Sequence, residues 1–554
     1  MVSNSKNPGK ARRLMGIIAV ILFIVVLVVS VLLFENPPKG KRTDAPESAF
    51  SADRAFVHLT QIAKQPHTFY MPENENVRSY IVEQLQGLGL DVDLESHPIV
   101  YNRGNGNEQA TLHNIIATLK GSLDGKALMM SAHYDSVAKG PGANDDGVAV
   151  AALIETARAL KAQAKPLHDI LFVITDGEEG GLLGAEQFWL GSKYKDRVGM
   201  VANFEARGAS GPSLMFQTSS GNGMLIRGFA SVAPVPVSNS FLADIYRKMP
   251  NDTDLTVSLR TGVPGLNFAY VGSWDKYHSA EDTIDHVSKA TLQHHGDNAL
   301  AVASHFGAMD VSGLKDSDME YFNVYGKLVY YPQSLNLPLA ILLTVILIAL
   351  TAVFIGKRAA SIGRVISGIG FVVLGFLLSA LISLGYYELL NAINERIGMS
   401  FYHFSFLAIT LIVHVLLSLY LRRTRNELEM VISASFMFLF LVYVVTFLLP
   451  GAGYMFGLPL VAHCIVLGFL IASKDPSAAL RRSWMIMLLS VVPGLLFTTL
   501  FHLLFMAMPP RVNVVCAVLF SLNLFLIYPL TSNIAALLKG SGRTRSTGKA
   551  RFSV

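Results

Sequence analysis

The sequence predicts two architectures in one chain: an α/β domain with a mostly parallel sheet and flanking helices, and an all-α multi-pass membrane domain. Three observations carry this. Hydrophobic residues make up 51% of the 554 residues, with a mean hydropathy of +0.42. That apolarity is partitioned, because charged residues crowd into the part before Leu337 and the chain after it is mostly apolar. Within the polar part, short apolar runs of strand length alternate with segments of helical period, the pattern of strands covered on both faces.

The first apolar run, Leu14 to Phe34, carries no charge and follows Lys10, Arg12 and Arg13. It is long enough to cross a bilayer and lacks the short apolar stretch and small-residue site of a cleaved leader. The reading is a cytoplasmic N-terminus at 1–13 and a signal anchor at 14–34. Seven further spans are expected within 335–538, at Leu337–Ile355, Val365–Tyr386, Phe401–Leu421, Met430–Leu449, Tyr454–Ala472, Trp484–Met506 and Val512–Leu538. A basic tail, 539–554, follows.

Basic residues fix the expected sidedness. Lys6, Lys10, Arg12, Arg13, Lys357, Arg358, Arg364, Arg422, Arg423, Arg425, Lys474, Arg481, Arg482, Lys539, Arg543, Arg545, Lys549 and Arg551 all fall on segments of one side. The short loops of the other side hold only Arg396 and Arg511. Positive charge marks the cytoplasmic side, so both termini are expected there and residues 36–334 beyond the membrane. His414, His463 and His502 lie within spans and read as neutral imidazoles bonded to neighbouring helices, since no acidic partner shares those spans.

A net charge of +5 spread over short clusters is no footprint for nucleic acid. Cys464 and Cys516 both lie in apolar runs. A disulfide framework and a cysteine metal site are thereby excluded from the polar domain. Any metal there must be held by His, Asp and Glu.

In the polar domain, with its core at about 50–310, helices are expected at Asn76–Leu88, Gly147–Ala162, Gly181–Trp189 and Lys289–Met309. Strands are expected at Asn114–Leu119, Ala127–Ser131, Asp169–Thr175, Val198–Phe204, Ser213–Thr218 and Gly265–Val271. Sites in such sheets form at the carboxyl ends of the strands. Those ends read Ala132-His133-Tyr134-Asp135-Ser136, Asp176-Gly177-Glu178-Glu179-Gly180-Gly181, Glu205-Ala206-Arg207-Gly208 and, after the last strand, Tyr277-His278-Ser279-Ala280-Glu281-Asp282-Thr283. Gly142-Ala143-Asn144-Asp145-Asp146-Gly147 opens the alanine-rich helix. Singly, each has an ordinary reading: a loop histidine, a helix cap, a solvated acidic turn. Together they bring imidazoles and carboxylates to one edge, a donor set that suits zinc or a relative such as cobalt or manganese.

These segments closely resemble the M28 family of two-zinc peptidases over about residues 50–310, and the apolar tail looks like that of its membrane branch, with fewer spans. The resemblance implies a zinc-exopeptidase-like fold, two zinc ions and a peptide substrate. By position it implies that His133 and Glu205 bind one zinc, His278 and Glu179 the other, and that Asp145 bridges them. Glu178 would be the general base. Many family members carry Asp at the position of Glu205. A cis peptide is implied at Asp145–Asp146. Tyr277 would donate to the oxyanion of the tetrahedral intermediate. Asp135 is placed to accept the second N–H of the His133 ring, and Asp282 is a candidate partner of His278. The activity implied is aminopeptidase-type hydrolysis; a glutaminyl-cyclase-like acyltransferase, usually with one zinc, and an inactive domain on a transport or scaffold protein are the alternatives. Pro250-Asn251-Asp252-Thr253-Asp254 resembles a substrate-side loop, reads equally as a turn, and contains a formal glycosylation sequon at Asn251. Oligomeric state and the purpose of seven spans are left open.

Overall fold

The computed structural model describes residues 36–102, 106–393, 399–424, 426–480, 483–507 and 513–530, with scattered positions between 18 and 29. Most of the expected anchor at 14–34 and all of the basic tail lie outside the described residues. The chain divides into two compact units: 32–335 together with 449–452, and a helical unit made of the rest.

The first unit is built on a seven-stranded sheet of order β1-β2-β4-β3-β5-β7-β6. Its strands are β1 (Asp91–Asn102), β2 (Asn107–Leu119), β3 (Ala127–His133), β4 (Ile170–Thr175), β5 (Val198–Ala206), β6 (Leu214–Thr218) and β7 (Gly265–Tyr270). The four central strands, β4, β3, β5 and β7, run parallel. Both edges are antiparallel: β1 with β2 and β2 with β4 on one side, β6 with β7 on the other. The expected parallel sheet is therefore the centre of a mixed one.

Alternation along the central strands divides their side chains between two cores. Leu128, Met130, Ala132, Ile170, Phe172 and Ile174 pack beneath a thick layer formed by the helices Ala52–Ile62, Ala149–Lys161 and Lys289–Gly307. Met129, Leu171 and Val173 face a thinner layer with Phe188 and Leu255, from the helices Leu183–Gly191 and Asp254–Arg260. Every residue of β3, β4 and β7 is buried, which is why these strands read as mostly apolar runs.

β2 pairs with β4 only through Ile115–Leu119. Its earlier residues run on with β1 past the carboxyl end of β4 as a two-stranded ribbon. The ribbon is tied down where it leaves the sheet: the His113 N–H donates to Asp176 Oδ2 at 3.0 Å. A separate hairpin, β8 (Met319–Val324) with β9 (Lys327–Pro332), closes the unit.

Among the described residues, five helices are long and apolar enough to cross a membrane: Gln333–Gly356, Ile362–Ile393, Glu427–Leu448, Pro450–Leu470 and Trp484–Met506. The two other expected spans fall on helices at Met399–Thr424 and Asn513–Leu526. Ring nitrogens of His414 and His463 hydrogen-bond Ser521 Oγ and Ser435 Oγ, each at 2.8 Å. Both cysteines are buried and free.

One buried group makes the first unit acid-sensitive. His295 lies edge-on to Phe204 and Tyr270, and its Nδ1 meets Ser213 Oγ at 2.9 Å. Burial, followed by the neighbouring His294, pushes it down from 6.5 to about 3. The unfolded chain takes up this proton near pH 6.5 and the folded chain only near pH 3. Stability from this group is thus complete above pH 6.5 and is lost as pH falls through the interval, by about 1.4 kcal/mol per pH unit. Thermal melts of the purified chain, compared with those of His295→Gln, should differ by a constant amount above pH 6.5 and fall away more steeply below it. His295→Gln should flatten that slope; an unchanged slope would assign the acid sensitivity elsewhere.

Candidate metal centre

Four loops at the carboxyl ends of the central strands make the site. β3 ends on His133, and its next residues are Tyr134 and Asp135. Gly142 then turns the chain into Ala143–Val148, which carries Asp145. Only glycine serves at 142, since its φ is +62° and a Cβ there would lie 2.5 Å from the Asp145 carbonyl oxygen. β4 leads through Asp176 and Gly177 to Glu178 and Glu179. β5 presents Glu205 near its end. Beyond β7, His278 adopts a left-handed backbone with φ +54°, an uncommon conformation for a residue with a Cβ.

The side chains converge as two triads that share one member: His133, Asp145 and Glu205, and Asp145, Glu179 and His278. Asp145 stands between them with one oxygen toward each. Its Oδ1 is 3.4 Å from His133 Nε2, and its Oδ2 is 3.1 Å from His278 Nε2. Glu205 Oε2 lies 3.5 Å from His133 Nε2. Glu179 Oε2 lies 3.0 Å from His278 Nε2. Glu178 approaches His133 Nε2 less closely, at 4.0 Å. The Tyr277 ring stacks on His278 with centroids 3.8 Å apart.

The structure places Asp135 at the centre of three contacts. Its Oδ1 accepts the Glu178 N–H at 2.9 Å and its Oδ2 the Glu179 N–H at 3.2 Å. The His133 Nδ1 is 3.0 Å from the Asp135 carbonyl oxygen and 3.4 Å from Oδ1. The carbonyl, more than the expected carboxylate, therefore receives the ring N–H, and the carboxylate braces the Glu178–Glu179 backbone instead. Asp282 also differs from expectation. Among the described residues it makes no hydrogen bond to His278. Its Oδ1 accepts from both the backbone and the side-chain nitrogen of Asn144 at 2.8 Å, and its Oδ2 accepts the Asp145 N–H at 3.1 Å. It fixes the loop that carries Asp145. The Asp145–Asp146 peptide is cis.

Several neighbours had no role in the sequence reading. Asn203 Nδ2 donates to Glu205 Oε1 at 3.0 Å and to Asn267 Oδ1 at 3.1 Å. Asn267 donates onward to Thr253 Oγ1 at 2.8 Å. Asp146 Oδ2 accepts the His133 N–H at 3.3 Å. Asp254, at the start of its helix, is buried and bonded to the Thr175 hydroxyl. Burial, then Glu205, pushes Asp254 up to about 7. Its segment had only a faint sequence signal, and the amides had none.

Electrostatics set what this arrangement can hold. Burial opposes ionisation of Asp145, but the imidazoles of His133 and His278 beside it outweigh burial and hold the group at about 2. Burial raises Glu178 far above the carboxylate range. Glu179 is raised to about 8, by burial and then by Asp145. Burial also works against charge on His278, yet Asp145 and Glu179 lift it to about 10. Two carboxylates within 4.8 Å of each other repel by about 3–4 kcal/mol at an effective dielectric constant of about 20. By itself the site limits that repulsion by keeping protons; a bound cation would do so better. His133 Nε2 and Glu179 Oε1 are buried with no hydrogen-bond partner among the described residues, which fits atoms aimed at an ion. Nitrogen and carboxylate donors in threes, with no sulfur, match zinc.

Residues 114–303 match the family model for peptidase family M28. The chain is 29% identical over 340 residues to endoplasmic reticulum metallopeptidase 1 of Mus musculus, covering 57% of this chain and 38% of that protein. It is 33% identical over 253 residues to the vacuolar membrane protease of Candida albicans strain WO-1, covering 45% and 29%. The chain thus spans well under half the length of these curated relatives. Among solved structures, it is similar to an aminopeptidase from Aneurinibacillus sp. strain AM-1, with TM-score 0.40 and 15% identity, over 49% of this chain and 98% of that one. With the His133, Asp145, Glu179, Glu205 and His278 constellation at its sheet edge, this chain carries a peptidase family M28 domain.

Proposed function

We propose that this chain is a membrane-embedded two-zinc metallopeptidase of aminopeptidase type. The observation that carries the proposal is the position of Asp145, whose two oxygens face two separate imidazoles, each accompanied by a glutamate. That is the donor arrangement of a bridging carboxylate between two ions. His133 and Glu205 would hold one ion, His278 and Glu179 the other. Both triads are complete, which favours peptide hydrolysis over the one-metal acyltransferase alternative, and an intact set argues against an inactive domain.

Zinc bound there supplies a water of lowered pKa, towards about 7, and a polarised scissile carbonyl. The protein supplies the rest. Glu178 lies beside the triads with no hydrogen bond to its carboxylate among the described residues, so its oxygens are free to take a proton from that water and return it to the leaving amine. Burial raises its proton affinity towards that task. Burial likewise keeps the Tyr277 phenol protonated, so it is a donor for the developing oxyanion. Asp135 holds the Glu178 and Glu179 backbone at a fixed height above the sheet. Asp282 does the same for Asp145.

The domain is proposed to lie on the non-cytoplasmic side with both termini cytoplasmic, a reading supported by the bias of basic residues between the spans.

Four outcomes test these readings. Chelation should abolish peptide hydrolysis by the chain purified in detergent, zinc should restore it, and elemental analysis should find two zinc ions per chain; chelator-insensitive turnover would sink the metal mechanism. Glu178→Gln should lower kcat by roughly 10²–10⁴-fold with both metals retained, and full activity in that variant would remove Glu178 as the base. Asp282→Asn should weaken metal binding by roughly 10–100-fold in competition with a chromogenic chelator; unchanged affinity would make its bonds to Asn144 and Asp145 incidental. For topology, a membrane-impermeant maleimide should label Ser48→Cys in intact cells but Ser361→Cys only after the membrane is opened, and the reverse pattern would invert the proposed orientation.

A further inference from the structure

The strand that carries Glu205 also carries a cation that nothing in the peptidase mechanism uses. Side chains alternate along β5, so Asn203, Glu205 and Arg207 share a face. The Arg207 N–H donates to the Tyr270 carbonyl at 3.0 Å, which continues the ladder one residue past Ala206. Arg207 is half-buried. Among the described residues its guanidinium makes no ion pair and no hydrogen bond, although the neighbourhood is rich in acids.

Tyr246 comes from another element. This residue ends the helix Ser240–Tyr246, and its ring packs edge-on against Phe216 of β6 with centroids 4.6 Å apart. Its hydroxyl is buried and has no partner among the described residues. Beyond burial, the charges that act on this phenol are Glu205, Asp252, Arg207 and Glu178. The hydroxyl thus lies within electrostatic reach of both Glu205 and Arg207, which share a face of β5.

A buried phenol without an acceptor is costly, by about 1–3 kcal/mol. A forked cation beside carboxylates that it does not pair with is also unusual. Both anomalies disappear if one anion sits between the two groups. Of the neighbouring acids, Glu205 is engaged with Asn203 and His133 and Asp254 with Thr175, and Glu178 is assigned to the water. The missing anion then comes from the substrate. In a dipeptide the terminal carboxylate follows the scissile bond within one residue's reach, roughly 3.3–3.6 Å.

We propose that Arg207, assisted by the Tyr246 hydroxyl, binds a free carboxylate on the substrate just beyond the scissile bond, which makes the site selective for substrates that carry a carboxylate there. The carboxylate can be the C-terminus of a dipeptide or an acidic side chain at that position; the chemistry recognised is the same. A guanidinium suits it because its planar fork matches a carboxylate with two parallel hydrogen bonds. The inference rests on the peptidase reading for the position of the scissile bond, and its test is separable from that reading.

The test measures binding by calorimetry, with the zinc-loaded Glu178→Gln chain in detergent. The probes are alanyl-leucine, its C-terminal amide, and alanyl-glutamic acid α-amide. Alanyl-leucine is expected to bind at least about tenfold more tightly than its amide, the worth of one charged hydrogen-bonded contact. Adding Arg207→Gln should collapse that ratio to near one. Arg207→Lys, which keeps the charge and loses the fork, should restore part of it, and Tyr246→Phe should reduce it. Tight binding of the acidic-side-chain amide, lost with Arg207→Gln, would support the side-chain source. Equal binding of acid and amide, with no gain from the acidic side chain, overturns the proposal. So does a ratio that Arg207→Gln leaves unchanged while melting curves show the variant folded. Turnover of alanyl-leucine by the unsubstituted chain reads the peptidase assignment separately: acid-selective binding without turnover would sink the peptidase and keep the carboxylate receptor.

Discussion

Mutual repulsion among buried carboxylates is the constraint around which the α/β domain is arranged. Asp145, Glu179 and Glu205 lie in two overlapping triads, with Glu178 close by. Each such pair costs several kcal/mol at these separations, and burial adds to the cost of ionisation. The folded chain tolerates this because imidazoles are interleaved with the carboxylates: Asp145 stays ionised between His133 and His278, while Glu178 and Glu179 are driven towards their neutral forms. Divalent cations would substitute positive charge for those protons, so metal binding and the stability of this sheet edge are coupled.

Such a site must be held open before an ion arrives, and the holding is done by hydrogen bonds between loops of different strands. Asp135, just after β3, accepts both backbone N–H groups of the Glu178–Glu179 step after β4. Asp282, from the loop after β7, accepts from Asn144 and Asp145. Tyr270, on β7, donates to Asn144 Oδ1 at 3.1 Å. Each ligand is thus braced by an element other than its own. Parallel central strands make this possible, because they end on the same edge and their loops cross one another there. The ribbon that β2 and β1 extend past β4 adds a wall on the same side, fastened through Asp176 to His113 and Asn74.

Much of this was legible in the sequence, for a physical reason. Strands buried on both faces leave apolar runs such as Ile170–Thr175, and the polar residues that end those runs are then conspicuous. His133, Glu178, Glu179 and Glu205 stand out in this way, and the glycine turn at Gly142 flags Asp145. What stayed hidden depends on register and closure. β1 is half-exposed and polar along most of its length, Asp-Val-Asp-Leu-Glu-Ser-His-Pro, so it leaves no apolar run. Asp282 looked like a partner for His278 because it is close in sequence, and only the folded loop directs it to Asn144. The bonds among Asn203, Asn267 and Thr253 join three elements whose adjacency comes from strand pairing. In the helical unit the opposite holds: hydropathy alone marks the spans, since a bilayer rewards composition over pairing.

Glu205 illustrates how such hidden contacts bear on chemistry. Its two oxygens are used differently: Oε2 faces His133 Nε2 at 3.5 Å, and Oε1 accepts from Asn203 at 3.0 Å. The longer glutamate chain reaches the imidazole while keeping the amide contact, which an aspartate at the same strand position would have to shorten or lose. Asn203 in turn hands the connection to Asn267 and Thr253. Thr253 caps the helix that begins with Asp254 and belongs to the Pro250–Asp254 segment. A chain of neutral polar groups therefore couples a candidate ligand to the loop that leads into the Asp254–Arg260 helix, with no charge spent on the link. Because every member is buried and has at least one partner, displacing any one leaves an unsatisfied polar group next to the site, at about 1–3 kcal/mol each. The orientation of Glu205 is accordingly a property of that whole segment, and changes in Pro250–Asp254 bear on the His133 side of the site without touching it.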